Sequence, residues 1–249
     1  MTIMSLAVVS FLFFVNPMKQ YNYIFLDLDD TIWDFHANAK ASLNDIFFAR
    51  KLNELYPDFE NFFRVYSKKN LELWSQYGQG LITKEYLIVE RFLHPLQEVG
   101  IDDRELAYNM NTDFLDVLSS KTILMPYAQE LLEYCKLKAY PMTIVSNGFT
   151  EVQYRKLRNS AIEQYFAHVV LSEEAGALKP NPAIFEYALK LNNALKEQTL
   201  MIGDSFDADI RGAVATGMDA VYLNNTGKVT EIPENVTEIR SLKELFEII

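Results

Sequence analysis

Asp27-Leu28-Asp29-Asp30-Thr31 stands directly after the apolar run Tyr23-Ile24-Phe25-Leu26. Side chains of an extended chain repeat every second residue, so a strand ending here can deliver Asp27 and Asp29 to one crevice. Carboxylates that close repel each other unless a cation or a shared proton offsets their charge. The pattern therefore asks for a metal, a general acid, or both. Three more polar clusters follow in order. Thr143-Ile144-Val145 leads into Ser146-Asn147-Gly148, Lys179-Pro180 precedes a helical pattern, and Leu200-Met201-Ile202 leads into Gly203-Asp204-Ser205-Phe206-Asp207-Ala208-Asp209. The Ser146 hydroxyl could donate to a phosphoryl oxygen, and the amides of Asn147 and Gly148 could add donors where a glycine permits close approach. Lys179 offers a compact cation, and Asp204 and Asp209, straddling a strand-to-helix turn, offer the oxygen ligands that suit Mg2+.

The ordered set resembles the haloacid dehalogenase-like hydrolase superfamily, whose motifs are DxDxT, a strand ending in Ser or Thr, a Lys, and GDxxxxD. The match runs from about Tyr21 to Leu223. A closer resemblance, to the 5′-nucleotidase branch that includes pyrimidine nucleotidases, rests on Ser146 to Gln153, on Ser172-Glu173-Glu174-Ala175-Gly176, and on Asn70, Leu73-Trp74, Gly80, Ile82-Thr83 and Arg91-Phe92. What the resemblance implies is a Mg2+-dependent phosphomonoester hydrolase, acting on pyrimidine nucleoside monophosphates. Asp27 would form an aspartyl-phosphate, and Asp29 would protonate the ester oxygen and later deprotonate the attacking water. Lys179 would neutralise charge, and Ser146, Asn147 and Gly148 would bind phosphate. Mg2+ would be held by Asp27, the backbone carbonyl of Asp29 and Asp204, with Asp209 acting through water.

Rival readings remain open at this point. A sugar-phosphate phosphatase or a phosphomutase would share all four motifs. Haloacid dehalogenation is disfavoured by Asp29, because release of halide needs no acid. A phospho-accepting signalling module also combines an acidic pocket with Lys, but the acid at Asp29 and a long helical insert disfavour it. Trp33 and His36 follow the catalytic turn and are candidates for a flap that touches the leaving group or folds a hinge. Trp74 is a candidate stacking surface among the aromatics Phe62, Phe63, Tyr66 and Tyr77, although aromatics on helices are more often core. Arg91 could reach substrate or equally a carboxylate of the insert.

These groups need a scaffold. Short apolar runs near Tyr23 to Leu26, Met142 to Val145, His168 to Leu171, Leu200 to Ile202 and Ala220 to Leu223 read as buried parallel strands. Helical patterns at Ala128 to Leu137, Glu151 to Arg158, Pro182 to Leu191 and Ala208 to Ala215 supply crossovers. The expected fold is α/β, a doubly wound parallel-sheet, Rossmann-like core with an inserted all-helical cap. Amphipathic patterns around Ala41 to Leu55, Phe59 to Tyr77, Lys84 to Val99 and Asp103 to Leu118 form that cap. The division expected is a core of residues 18–33 and 121–249 with a cap at 34–120. Residues 1–17, apolar from Ile3 to Val15 and too short to span a membrane, are expected to be a non-native N-terminal extension, the alternative being an uncleaved membrane-surface anchor.

With 23 Lys and Arg against 34 Asp and Glu, a net charge of -11 argues against a phosphate-tracking surface for a nucleic-acid polymer. A small phosphorylated metabolite, such as a nucleoside monophosphate, is compatible with it. The single Cys135 excludes an intrachain disulfide and fits a reducing, cytoplasmic setting with no membrane partner. Its place in a helical pattern marks it as a buried structural thiol. Base, sugar and oligomeric state are not encoded in these motifs.

Overall fold

A computed structural model of the chain describes residues 20–227 and 231–249. The expectation for residues 1–17 lies outside the described residues. Six strands form one parallel sheet: β1 (Tyr23–Leu26), β2 (Met142–Ser146), β3 (Phe166–Leu171), β4 (Thr199–Gly203), β5 (Asp219–Leu223) and β6 (Val236–Ile239). Their spatial order is β3-β2-β1-β4-β5-β6, so chain order reverses beside β1. In such a sheet the crevice at the carboxyl ends, where the order switches, is the natural ligand site.

The strands are apolar on both faces because helices cover both. Ile24 and Leu26 of β1, Ile144 of β2 and Leu200 and Ile202 of β4 pack on one side with Ala128, Leu131 and Leu132 of α5 (Ala128–Leu137) and Leu157 of α6 (Thr150–Asn159). Phe25, Val145 and Met201, one residue out of step, face the other way. They meet Ile184, Phe185 and Ala188 of α8 (Pro182–Leu191) and Ala213 of α9 (Arg211–Thr216). The period of two thus sorts each strand between two cores. Asn181 caps α8 by accepting from the Ala183 N–H at 3.0 Å, with Pro182 at the first helical position. The thiol of Cys135 is buried in α5, and burial pushes its pKa up to about 12.

Between β1 and α5 come four long helices, α1 (Phe35–Ala49), α2 (Phe59–Gly78), α3 (Lys84–Glu98) and α4 (Arg104–Ser120). Asp34, Asp58, Thr83 and Asp103 cap their N-termini through side-chain oxygens. The two chain crossings into this insertion are paired. The Asp34 N–H donates to the Ile123 carbonyl at 3.1 Å and the Met125 N–H to the Ile32 carbonyl at 2.9 Å. A single helical turn, α7 (Ser172–Ala175), follows β3. Among the described residues no helix is long and apolar enough to cross a membrane.

Candidate active site

The end of β1 is built as a closed turn. The Asp27 N–H still donates to Ile202 of β4 at 2.9 Å, keeping the strand in register to its last residue. Beyond it the Leu28 carbonyl accepts from the N–H groups of both Ile32 and Trp33. Asp30 adopts the left-handed conformation (φ 57°), which Asp tolerates better than most residues. Asp27 and Asp29 then line one cleft of about 210 Å³ together with Ser146, Lys179, Asp204 and Asp209. The two carboxylates, however, hold different cations.

Asp27 accepts a hydrogen bond from Lys179 Nζ, whose other partners are the Val145 carbonyl and Asp209 Oδ1, both at 2.7 Å. Lys179 is aimed there by Asn147, whose carboxamide donates to the Lys179 carbonyl at 2.9 Å and accepts from its N–H at 2.7 Å. Asp209 is set over the end of β4 by accepting from the Ser205 N–H at 3.0 Å. Gly203 permits this approach, since a Cβ there would lie 2.3 Å from an Asp209 carboxylate oxygen. One oxygen from each of Asp27, Asp204 and Asp209 lies within 4.8 Å of the others. Three carboxylates against one ammonium leave two negative charges in a buried place.

That imbalance raises the carboxyl pKa values. Burial pushes Asp27 up to about 7, opposed by Lys179 and reinforced by the charge on Asp209. Asp204 rises well above the carboxylate range through burial and the charges of Asp27 and Asp209. For Lys179 burial alone would favour the neutral amine, but the Asp209 and Asp27 carboxylates reverse that and raise it. An all-oxygen set with two uncompensated charges fits a hard divalent cation such as Mg2+.

Asp29 turns to α6 instead. Lys156 Nζ donates to its Oδ1 at 2.7 Å and Gln153 Nε2 to its Oδ2 at 2.9 Å. Both donors are buried, and Lys156 also lies 4.5 Å from the centroid of the Trp33 ring. Its carboxylate therefore stands outside the three-carboxylate cluster. Gln153 bonds Ser146 Oγ too, at 2.8 Å, and the Gly148 N–H donates to the same oxygen at 3.1 Å. The Gly148 amide, expected to face phosphate, is thus used within the loop. With two donors already on Ser146 Oγ, its own hydrogen is left to point into the cleft. Gly148 is needed here for space, as a Cβ would lie 2.2 Å from the Gln153 amide.

The other expected residues separate. Trp33 is fully buried and donates through Nε1 to Ser160 at 3.1 Å, so it folds the crossing between core and insertion. His36 is exposed and meets Phe63 edge to face at 5.7 Å. Trp74 lines the cleft and packs on Phe149 at 5.5 Å between centroids. Arg91 corrects the expectation of substrate contact: it is buried among the insertion helices, held by Asn111 and lying over the Phe114 ring at 5.1 Å. Desolvation lowers its pKa below the usual guanidinium value. Phe62 and Tyr66 belong to the same packed interior. Asp207 pairs with Arg211 at 2.9 Å on the surface, away from the cluster.

Lys156 was not among the residues singled out from the sequence. A lysine in a helix ordinarily reads as solvated, yet Gln153 and Lys156 are three apart and share a face with buried Val152 and Leu157. Polar residues on the apolar face of a helix were the available signal.

A family model described as haloacid dehalogenase-like hydrolase matches residues 21–217. The chain is 31% identical to the HAD-hydrolase YfnB of Bacillus subtilis, over 93% of this chain and 97% of that protein. A crystal structure of YfnB bound to magnesium superposes with a TM-score of 0.84, covering 92% of this chain and 99% of that one at 30% identity. Pyrimidine 5′-nucleotidase YjjG of Escherichia coli is 29% identical over 92% of this chain and 96% of its own length. The glyceraldehyde 3-phosphate phosphatase of Pyrococcus furiosus is 27% identical over 93% and 94%.

Proposed function

The chain belongs to the haloacid dehalogenase-like hydrolases, and from that premise we propose that it is a phosphoric-monoester hydrolase, a cytoplasmic 5′-nucleotidase for pyrimidine nucleoside monophosphates. The observation that carries the phosphatase reading is Asp27, a buried carboxylate at a strand end, paired with Lys179 beside Asp204 and Asp209. Asp27 attacks phosphorus, and the bond from phosphorus to the ester oxygen breaks as the aspartyl-phosphate forms. Asp29 gives a proton to the departing ester oxygen, then takes one from the water that cleaves the aspartyl-phosphate. Gln153 and Lys156 hold Asp29 for both steps. Lys179 and the Ser146 hydroxyl balance the charge on the phosphoryl oxygens. Asp27, Asp204 and Asp209, with the Asp29 carbonyl, are the groups that would hold Mg2+, which when bound supplies positive charge for the phosphate. The helices α1 to α4 act as the cap, with the paired crossings at Trp33 and Leu124 as its hinge.

Choice of leaving group rests on the similarity to YjjG and on the aromatic surface the insertion turns to the cleft through Phe35 and Trp74. The Pyrococcus relative favours a sugar phosphate instead. Catalytic efficiencies on uridine, cytidine and thymidine monophosphates, glyceraldehyde 3-phosphate and p-nitrophenyl phosphate decide between them. The nucleotides should lead. A lead for glyceraldehyde 3-phosphate would replace the nucleotidase reading with that of a sugar phosphatase, and inactivity on all of them would remove the phosphatase reading.

A further inference from the structure

Between α1 and α2 a second cavity, of about 330 Å³, opens beside the catalytic cleft, and Phe35 and Trp74 belong to the walls of both. His36 and Phe63 add further flat surface to it. Two lining side chains, Tyr66 and Asn70, carry a buried polar atom with no hydrogen-bond partner among the described residues. Asn70 is only 8% exposed, and its carboxamide oxygen has no hydrogen-bond partner among the described residues. Native interiors pair nearly all such groups, because an unpaired buried acceptor forfeits its hydrogen bonds to water without replacement. An orphan acceptor on a residue that lines an aromatic cavity next to a phosphate site is complementary to a planar ligand that carries a donor.

Resting on the nucleotidase reading, we infer that this cavity is the base subsite, with Asn70 reading the hydrogen-bonding edge of a pyrimidine. Phosphate at Asp27 places the sugar between Phe35 and Trp74, and the base enters the space between α1 and α2. A carboxamide carries an acceptor and a donor side by side. Uracil presents an N3–H beside a carbonyl, and cytosine presents an amino group beside N3, so either pairs with Asn70 when its amide is suitably turned. The rings of Phe35, Phe63 and Trp74 supply stacking, which tolerates any base. Asn70 is therefore a specificity residue, remote from the bond that breaks.

The test compares wild type with Asn70→Ala and with Asn70→Leu, which keeps the volume of the side chain while removing its polar atoms. Uridine 5′-monophosphate and ribose 5-phosphate are the paired substrates, since they differ only by the base. Both variants should lose on the order of ten- to a hundredfold in kcat/KM for the nucleotide and keep their efficiency on ribose 5-phosphate. An equal loss on both substrates overturns the subsite and makes Asn70 structural. A wild-type preference for the nucleotide that survives both substitutions overturns the subsite and leaves the nucleotidase reading standing. A wild type that turns over ribose 5-phosphate as efficiently as the nucleotide defeats that reading and the subsite together.

Discussion

At the scale of single residues, the cleft separates its two leading carboxylates by giving each its own lysine. Asp27 is held by Lys179 and Asp29 by Lys156, so neutralising one need not disturb the other. Asp27→Asn should lower kcat by at least about 10³-fold, because an amide is no nucleophile at phosphorus, while leaving the circular dichroism spectrum near wild type. Turnover by well-folded variant protein would reject the covalent route. Asp29→Asn separates the two halves of the reaction. A nucleotide needs its ester oxygen protonated, so kcat should fall roughly 10²- to 10⁴-fold. With p-nitrophenyl phosphate the leaving group departs unaided, and only hydrolysis of the aspartyl-phosphate is slowed. Stopped-flow measurement should then show a burst of about one equivalent of nitrophenolate followed by slow turnover. A linear time course as fast as wild type would remove Asp29 from both steps.

At the scale of elements, the site depends on how closely helices approach strand ends. Gly203→Ala would drive a Cβ into the Asp209 carboxylate, whereas Gly78, at the end of α2, has nothing within 4 Å of an added Cβ. Gly203→Ala should destabilise by about 1–3 kcal/mol and weaken Mg2+ activation. Gly78→Ala should be neutral or stabilise by up to about 1 kcal/mol. Thermal melts and Mg2+ titrations of the two variants check this, and equal behaviour would refute the steric argument.

The same elements show what could be read from sequence. The five apolar runs stand as β1 to β5 because buried parallel strands must be apolar on both faces. The edge strand β6 was missed. Val-Thr-Glu-Ile buries only its ends, and four residues of mixed polarity carry little periodic signal. Helix α1 begins at Phe35, earlier than the apolar pattern from Ala41 suggests, because Asp34 caps it while Asn38 buries a polar side chain on the Ile123 carbonyl. Motif residues that meet at strand ends were legible, since topology alone gathers them. Arg91, Gln153 and Lys156 were not, because whether a polar helical residue faces core, cleft or water depends on packing between elements far apart in the chain.

At the scale of the whole molecule, the acidic cleft should make folding stability depend jointly on pH and on a divalent cation. Asp27 is pushed up to about 7 and Asp204 well above its ordinary value, chiefly by burial. Unfolded, both return to the usual carboxylate range near 4. Between about pH 4 and pH 7 the metal-free folded chain therefore binds more protons than the unfolded chain. By linkage the contribution of these two groups to its stability is greatest below that window and is lost as pH rises through the folded-state values. A cation that binds the ionised carboxylates opposes this loss and competes with protons for the site. Mg2+ should accordingly raise the melting temperature more at pH 8 than at pH 5. At a concentration about a hundredfold above its Kd the gain is about 2.7 kcal/mol, or roughly 5–10 °C for a chain of this size. Asp204→Asn removes one of the two unbalanced charges, so it should flatten the pH dependence of the metal-free protein and shrink the Mg2+ shift. Differential scanning fluorimetry with EDTA or Mg2+ at both pH values measures all of these. A Mg2+ shift of the same size at pH 5 and pH 8, or one untouched by Asp204→Asn, would place the cation elsewhere on this acidic protein.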